Sequence, residues 1–471
     1  MANNNLELDD IQGLIVRSYT ALPAACYLLL NITDSQHARP WLRDIIGQIT
    51  YADMPADQEA INIAFTQQGI SKLNIDQTII DSFSNEFRAG MTTTHKSHIL
   101  GDEGDSEPKH WLWGGPETQT VHLLMLCYSK TQASLNNLVH RLKIGMRENG
   151  LHFINQLDTQ ILKDNKEHFG FRDGIAQPYI SEFNRHKEDG KKEASKNAVA
   201  LGELLLGHEN GYKRFTQRPM VKPELDPFSL LKPCRENAKQ HDLGFNGTYL
   251  VFRQLFQDVP GFWKSLKQLE TEKNPENADP IHLAAKMVGR WPSGTSLVQS
   301  PLKDDPGVVD QDNFTYHKTD EDGLKCPLGA HIRRTNPRDS LEPEPGTQKS
   351  TDFSNRHRII RRGRAYGKPF EPSMKVENFL LDLEKEDKAP VSRGLHFICL
   401  NANIGRQFEF IQHTWANNPN FNGLYRDSDP IIGTRFANGK EQDQFTVQQC
   451  PARTQYRGLP SFVQMRGGGY F

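Results

Sequence analysis

Val121-His-Leu-Leu-Met-Leu-Cys127 is an unbroken apolar run, and Leu135, Leu138, Val139 and Leu142 follow it at positions i, i+3, i+4 and i+7. The run is too short for anything but a buried strand, and the spacing after it marks one face of a helix. Upstream, Cys26-Tyr-Leu-Leu-Leu-Asn-Ile32 reads as a second buried strand. A helix follows it from Asp34, with Pro40 and then Trp41, Leu42, Ile45 and Ile46 on one side. Ile61, Ile63 and Phe65 alternate as a half-buried strand between these two units. Two β-α pieces with an extra strand between them predict an antiparallel sheet with helices on one face, the split βαβ arrangement. The fold class expected is α+β rather than a doubly wound parallel sheet.

The second half repeats this order without repeating the sequence. Thr248-Tyr-Leu-Val-Phe252 is a strand, and Pro260-Gly-Phe-Trp263 opens a helix carrying Phe262, Leu266 and Leu269. Leu395-His-Phe-Ile-Cys-Leu400 is a later strand, and Phe408, Ile411 and Trp415 mark a helix that stops near Pro419. The stretch 213–244, rich in Pro, Lys and Glu, separates the halves, giving expected domains 1–230 and 231–471. Three polar stretches, 184–197, 270–280 and 303–323, read as exposed loops without chemistry of their own.

With 471 residues, 36% hydrophobic and 24% charged, the chain is globular and long enough for more than one domain. A net charge of −2 gives no overall field for nucleic acid or an anionic membrane. The apolar runs fall far short of the roughly 20 residues of a membrane span. No secretory signal opens the sequence, and six cysteines are scattered with no CxxC pair, so buried free thiols and a cytoplasmic location are expected. Oligomeric state is not legible.

Three segments stand out. In His168-Phe-Gly-Phe-Arg-Asp-Gly-Ile-Ala-Gln-Pro178, Gly170 and Gly174 bracket Asp173 on a turn, and Phe169, Phe171 and Pro178 supply the partly desolvated setting of a proton-transferring carboxylate. In Lys325-Cys-Pro-Leu-Gly-Ala-His-Ile-Arg-Arg-Thr-Asn-Pro-Arg338, His331 follows the small pair Gly329-Ala330, which lets a bulky planar group approach the backbone and the imidazole act as a ligand; the bland alternative is a hydrogen-bonded core histidine. A covalent c-type attachment is excluded, since CxxCH is absent, and Cys326, His331 and His357 match no common zinc spacing. Asn355-Arg-His-Arg-Ile-Ile-Arg-Arg-Gly-Arg-Ala-Tyr-Gly367 taken alone suggests a basic patch for nucleic acid. Yet Ile359-Ile360 reads as strand core, which sends Arg361 and Arg362 to opposite faces, and a buried arginine needs an anion.

Together, and in this order, Gly170-Phe-Arg-Asp-Gly174, Cys326-Pro-Leu-Gly-Ala-His-Ile-Arg-Arg-Thr-Asn-Pro-Arg338 and Ile359-Ile-Arg-Arg-Gly-Arg-Ala-Tyr-Gly367 resemble the dye-decolourising peroxidases, in particular their longer bacterial branch. Asp9-Asp-Ile-Gln-Gly13, Lys286-Met-Val-Gly-Arg-Trp291 and Asn401-Ala-Asn-Ile-Gly-Arg-Gln-Phe-Glu-Phe410 extend the likeness over nearly the whole chain. The resemblance implies two ferredoxin-like domains and haem b, held mainly by the C-terminal half. It implies oxidation of phenolic or dye-like donors by hydrogen peroxide in single-electron steps, with neither nucleic acid nor membrane as partner. The alternative is a haem-handling protein of the same fold. Carried over residue by residue, it makes His331 the iron ligand, Asp173 the acid/base and Arg361 the charge-stabilising arginine, with Gly174, Arg361 and Arg338 at the cofactor. Arg362 takes the role of Arg361 if the strand register slips by one. Arg338 meets either a propionate or an ordinary surface partner. The acceptor behind His331 is left open, with Glu409 as one candidate. Trp111, Trp113, Trp291 and Tyr366 are either electron relays or packing aromatics.

Overall fold

The computed structural model describes residues 6–183, 197–308, 312–383, 391–437 and 440–471. The first half builds β1 (Ala24–Ile32), α1 (Ser35–Ile46), β2 (Glu59–Phe65), β3 (Leu123–Ser129), α2 (Gln132–Glu148) and β4 (Leu151–Asp158). All four strands pair antiparallel in the order β2-β3-β1-β4. The second half builds β5 (Tyr249–Gln257), α3 (Val259–Lys273), α4 (Pro280–Val288), α5 (His331–Thr335), β6 (Ile360–Arg361), β7 (Arg364–Tyr366) and β8 (Gly394–Asn401). It closes with α6, a helix of π type through Gly405–Glu409 and Ile411–Ala416, and with β9 (Val463–Tyr470). Its sheet runs β7-β8-β5-β9, with β6 also on β8, which is the same topology as the first.

Alternation along the strands decides what each face meets. Tyr27 and Leu29 of β1 and Leu124 and Leu126 of β3 pack against Leu250, Phe252, Ile398 and Leu400 of the second sheet, so the two sheets close on a shared core. The other face of the first sheet, Cys26, Leu28 and Leu30, is covered by Trp41 and Ile45 of α1 and Leu135, Leu138 and Leu142 of α2. Asp34 caps α1 by accepting from Gln36 N–H. Ile46, expected on the buried side, falls at the end of α1 and is 55% exposed.

The stretch 213–244 is folded rather than a bare linker. It carries a three-stranded sheet of two-residue strands, with Arg218 buried against Asp242 at 2.6 Å. Of the three polar stretches, 184–196 lies outside the described residues. The expectation that 303–323 is chemically idle is corrected: Asp312 holds Arg290 (2.5 Å) and Arg338 (2.7 Å), and Asp320 holds the fully buried Arg333 (3.1 Å). Five cysteines are buried and free, and Cys450 is exposed and free. Among the described residues no helix is long and apolar enough to cross a membrane.

Candidate active site

On the helix-facing side of the second sheet, α3 and α6 do not meet the strands everywhere. A cavity of about 780 Å³ remains, walled by Arg253, Leu255 and Gln257 of β5, Leu395 and Phe397 of β8, and Val463 and Met465 of β9. Asp173, His331 and Arg361, from three distant segments, all line it.

Asp173 is delivered by a closed turn. Glu167 N–H donates to Phe171 O (2.9 Å), Gly170 N–H to Glu167 O (2.9 Å) and Asp173 N–H to Asn165 O (3.1 Å). Gly170, at φ 98°, has no room for a side chain, since a Cβ would stand 2.6 Å from Val376 Cγ1; Gly174, at φ 84°, gives its N–H to Asp173 Oδ1 at 2.6 Å. Phe169 packs on Phe262 and Phe171 stacks on Trp263, which ties the turn to α3. Arg361 Nη2 lies 3.1 Å from Asp173 Oδ1, and the Asp173 side chain is half exposed. Desolvation pushes the Asp173 carboxyl up, but the Arg361 guanidinium, the Gly174 N–H, His331 and Arg290 outweigh it and hold it below its ordinary value.

Arg361 pairs in register with Cys399 on β8, which fixes it on the cavity face. Its backbone is clamped by the Gln177 side chain, whose Oε1 accepts from Arg361 N–H (3.1 Å) and whose amide donates to Arg361 O (3.2 Å). Arg362 turns the other way and donates to Leu14 O (2.7 Å) and Ile15 O (2.8 Å) at the end of the short helix Gly13–Val16. The rest of the basic run is also spent internally, Arg358 on Asn197 and Ala176 and Arg364 on Pro23 and Tyr19.

His331 opens α5, with Nδ1 2.9 Å from Asp429 Oδ2. A carboxylate only accepts, so Nδ1 carries the proton and Nε2 keeps a lone pair to offer. Asp429 is fully buried, and its Oδ1 accepts from the N–H groups of Ile431 (2.9 Å) and Ile432 (3.0 Å). Burial disfavours charge on His331, but Asp429 prevails and raises its proton affinity; burial likewise works against the Asp429 charge, and His331 with the Ile432 N–H holds that carboxyl low. Asp429 is thus the acceptor left open by the sequence. Glu409, the candidate named there, is instead bound to Lys96 Nζ (2.6 Å) and the Tyr470 hydroxyl (2.8 Å).

Arg338 does not line the cavity. Its guanidinium lies over Phe314 and donates to Asp312 and to the Phe314 carbonyl, a buried pairing rather than a surface one. Arg290, to which the sequence assigned no role, lines the cavity and shares Asp312 with it. Trp111, Trp113, Trp291 and Tyr366 are all buried. Among the described residues, no three His, Cys, Asp or Glu side chains gather as an ion site.

Fold and cavity define a two-sheet α+β protein with a carboxylate, a guanidinium and a carboxylate-backed imidazole facing one enclosed space. Residues 10–161 match the family model described as the DyP dimeric alpha+beta barrel domain. The chain is 29% identical to the dye-decolorizing peroxidase msp1 of Mycetinis scorodonius, over 99% of this chain and 85% of that one. It is 26% identical to the multifunctional dye peroxidase DyP2 of Amycolatopsis, over 98% and 93%. Among solved structures, an ancestral D-type dye-decolorizing peroxidase superposes with a TM-score of 0.74 at 27% identity, covering 99% of this chain and 97% of the other. A dye-decolorizing peroxidase in complex with 2,6-dimethoxyphenol shares the fold at a TM-score of 0.75 and 23% identity, covering 99% and 97%. Nearly the whole chain is thus similar to dye-decolourising peroxidases, and residues 10–161 match their family model.

Proposed function

We propose that this peroxidase reduces hydrogen peroxide with electrons drawn singly from phenolic or dye-like donors, at a haem b seated in the cavity. The observation that carries this reading is the pairing of Asp173 with Arg361 in the same cavity as an imidazole whose Nδ1 is already taken by Asp429. The residues present fit the group. Leu255, Leu395, Phe397 and Met465 offer apolar wall to a flat macrocycle, and two buried polar atoms at the wall, Arg361 Nε and Gln257 Oε1, have no hydrogen-bond partner among the described residues. His331 Nε2 would hold the iron, with Arg361 beside it; Gly174, expected at the cofactor, does not line the cavity and gives its N–H to Asp173 instead. Bound there, haem would supply the iron and the redox chemistry of peroxide cleavage.

The chain's own groups handle protons and charge. Asp173, ionised because its carboxyl is held low, takes the proton from the inner peroxide oxygen and returns it to the outer one, so that water leaves. Arg361 offsets the negative charge on the departing oxygen. Asp429 keeps the His331 ring in one tautomer and orientation.

Residues 1–230 supply the Asp173 turn and residues 231–471 supply His331 and Arg361, which is the division of labour we assign to the two halves. The free thiols support a reducing compartment such as the cytoplasm. The test is the visible spectrum of the haem-loaded chain with and without hydrogen peroxide, followed by steady oxidation of 2,6-dimethoxyphenol. A Soret band that changes on peroxide addition, with sustained turnover, is expected; a chain that binds haem and does not turn over overturns the reading.

A further inference from the structure

Glu167 sits six positions before Asp173 and makes no contact with Arg361 or His331 among the hydrogen bonds described, yet its carboxylate fills the inside of the Asp173 turn. One oxygen accepts from Phe169 N–H (2.9 Å) and from the Gln257 side-chain amide (2.6 Å), and the other from Phe171 N–H (3.1 Å). Two N–H groups of the turn, both just before Asp173, thus close on one half-buried carboxylate. Gln257 is the last residue of β5, so the same carboxylate pins a turn from the first half of the chain to the sheet that carries the Arg361 strand. Only a carboxylate has two acceptor oxygens for two converging N–H groups and a third donor; a carboxamide has one.

We propose that Glu167 is a positioning residue, acting through the backbone of Phe169 and Phe171 and anchored by Gln257, that holds Asp173 within reach of Arg361. The inference rests on Asp173 being the proton carrier proposed above. The charged and titratable groups around the pair are few: Asp173 faces Arg361, His331 and Arg290, while Glu167 has Asp173 as its charged neighbour and Lys166 beside it in the chain, whose Nζ is turned to Met374 O. Burial pushes the Glu167 carboxyl up to about 7, against its three hydrogen bonds, so this grip strengthens as the group ionises.

The test uses the full haem-loaded chain and its Glu167→Gln, Glu167→Asp, Gln257→Leu and Asp173→Asn variants. Amide exchange of the peptide covering 167–173 in Glu167→Gln should quicken by at least about tenfold while distant peptides do not change. The second-order rate with hydrogen peroxide should fall by roughly tenfold or more, the scale of a misplaced reacting group. Glu167→Asp, which keeps both acceptor oxygens, should recover part of that rate. Gln257→Leu should move exchange and rate in the same direction by less, and it carries the test if Glu167→Gln fails to fold. Faster exchange with an unchanged rate would reduce Glu167 to a structural part and overturn the proposal. If Asp173→Asn itself reacts at the parent rate, the reading of Asp173 falls; if Asp173→Asn is slow while Glu167→Gln and Gln257→Leu match the parent, only the role of Glu167 falls.

Discussion

On β1 the helix-facing positions are Cys26, Leu28 and Leu30, and on β5, which holds the same place in its own sheet, they are Val251, Arg253, Leu255 and Gln257. The strand order is identical, and the difference lies in what the helices can do. Over β1 they settle onto a continuous apolar face. Over β5 a guanidinium and an amide cannot be buried against leucines without partners. Here the loops bearing Asp102 and Glu167 and the start of α5 at His331 close around the gap. Arg253 is bound on both nitrogens by Asp102, with one contact at 3.0 Å, so the polar face is satisfied from the loops rather than from a helix. One topology therefore serves as a solid block in one half and as a container in the other, and the choice is written on alternate residues of one strand.

The comparison breaks most severely at His331. His331→Ala should abolish stable haem binding, read as loss or a strong shift of the Soret band, and leave a container with nothing held in it; an unchanged spectrum and activity would sink the assignment. Next in size, Asp173→Asn and Arg361→Leu should each slow the reaction with peroxide by roughly 10²-fold or more with haem retained, as measured by stopped-flow mixing. Both act at one bond cleavage, so the double variant should fall well short of the product of the single losses. The pH profile separates them. Because the Asp173 carboxyl is held below its ordinary value, the base form persists as pH falls and is lost only below that range. Arg361→Leu removes the main lowering charge, so its acid limb should move up toward an ordinary carboxyl near about 3.9.

Smaller again, Asp429→Asn keeps the shape behind His331 but removes the charge, and should cost about 10- to 100-fold in haem affinity or activity. The mildest change on activity tests the comparison itself. Arg253→Leu gives β5 the alternation of β1, but leaves Asp102 buried without its partner and should cost about 3–5 kcal/mol in denaturant unfolding. Asp102→Leu combined with Arg253→Leu should recover most of that loss. If the single change were neutral, the polar face of β5 would not be what props the cavity open.

Much of this was legible before any coordinates. Continuous apolar runs mark the central strands, the glycines around Asp173 mark a turn, and His331 and Arg361 stand beside small residues or glycine at the ends of short regular elements. What stayed hidden has physical reasons. Asp429 reaches His331 across 98 residues of chain, and nothing local distinguishes a carboxylate that will be buried under an imidazole from one in solvent. Asp312 is hidden for the same reason, since a stretch dense with charge looks solvated. Gln177 and Glu167 flank the visible motif but act on backbone atoms, which leave no pattern in side-chain chemistry. The π-type winding of α6 escaped because Phe408, Ile411 and Trp415 are spaced as in an ordinary helix.

The adjacent arginines at the end of β6 divide two jobs by parity alone: Arg361 faces the cavity and Asp173, while Arg362 rivets the strand to the carbonyls of Leu14 and Ile15. A substitution at either site damages one job. An insertion or deletion of a single residue just upstream would exchange them, sending the rivet into the cavity and the cavity-facing guanidinium into the floor.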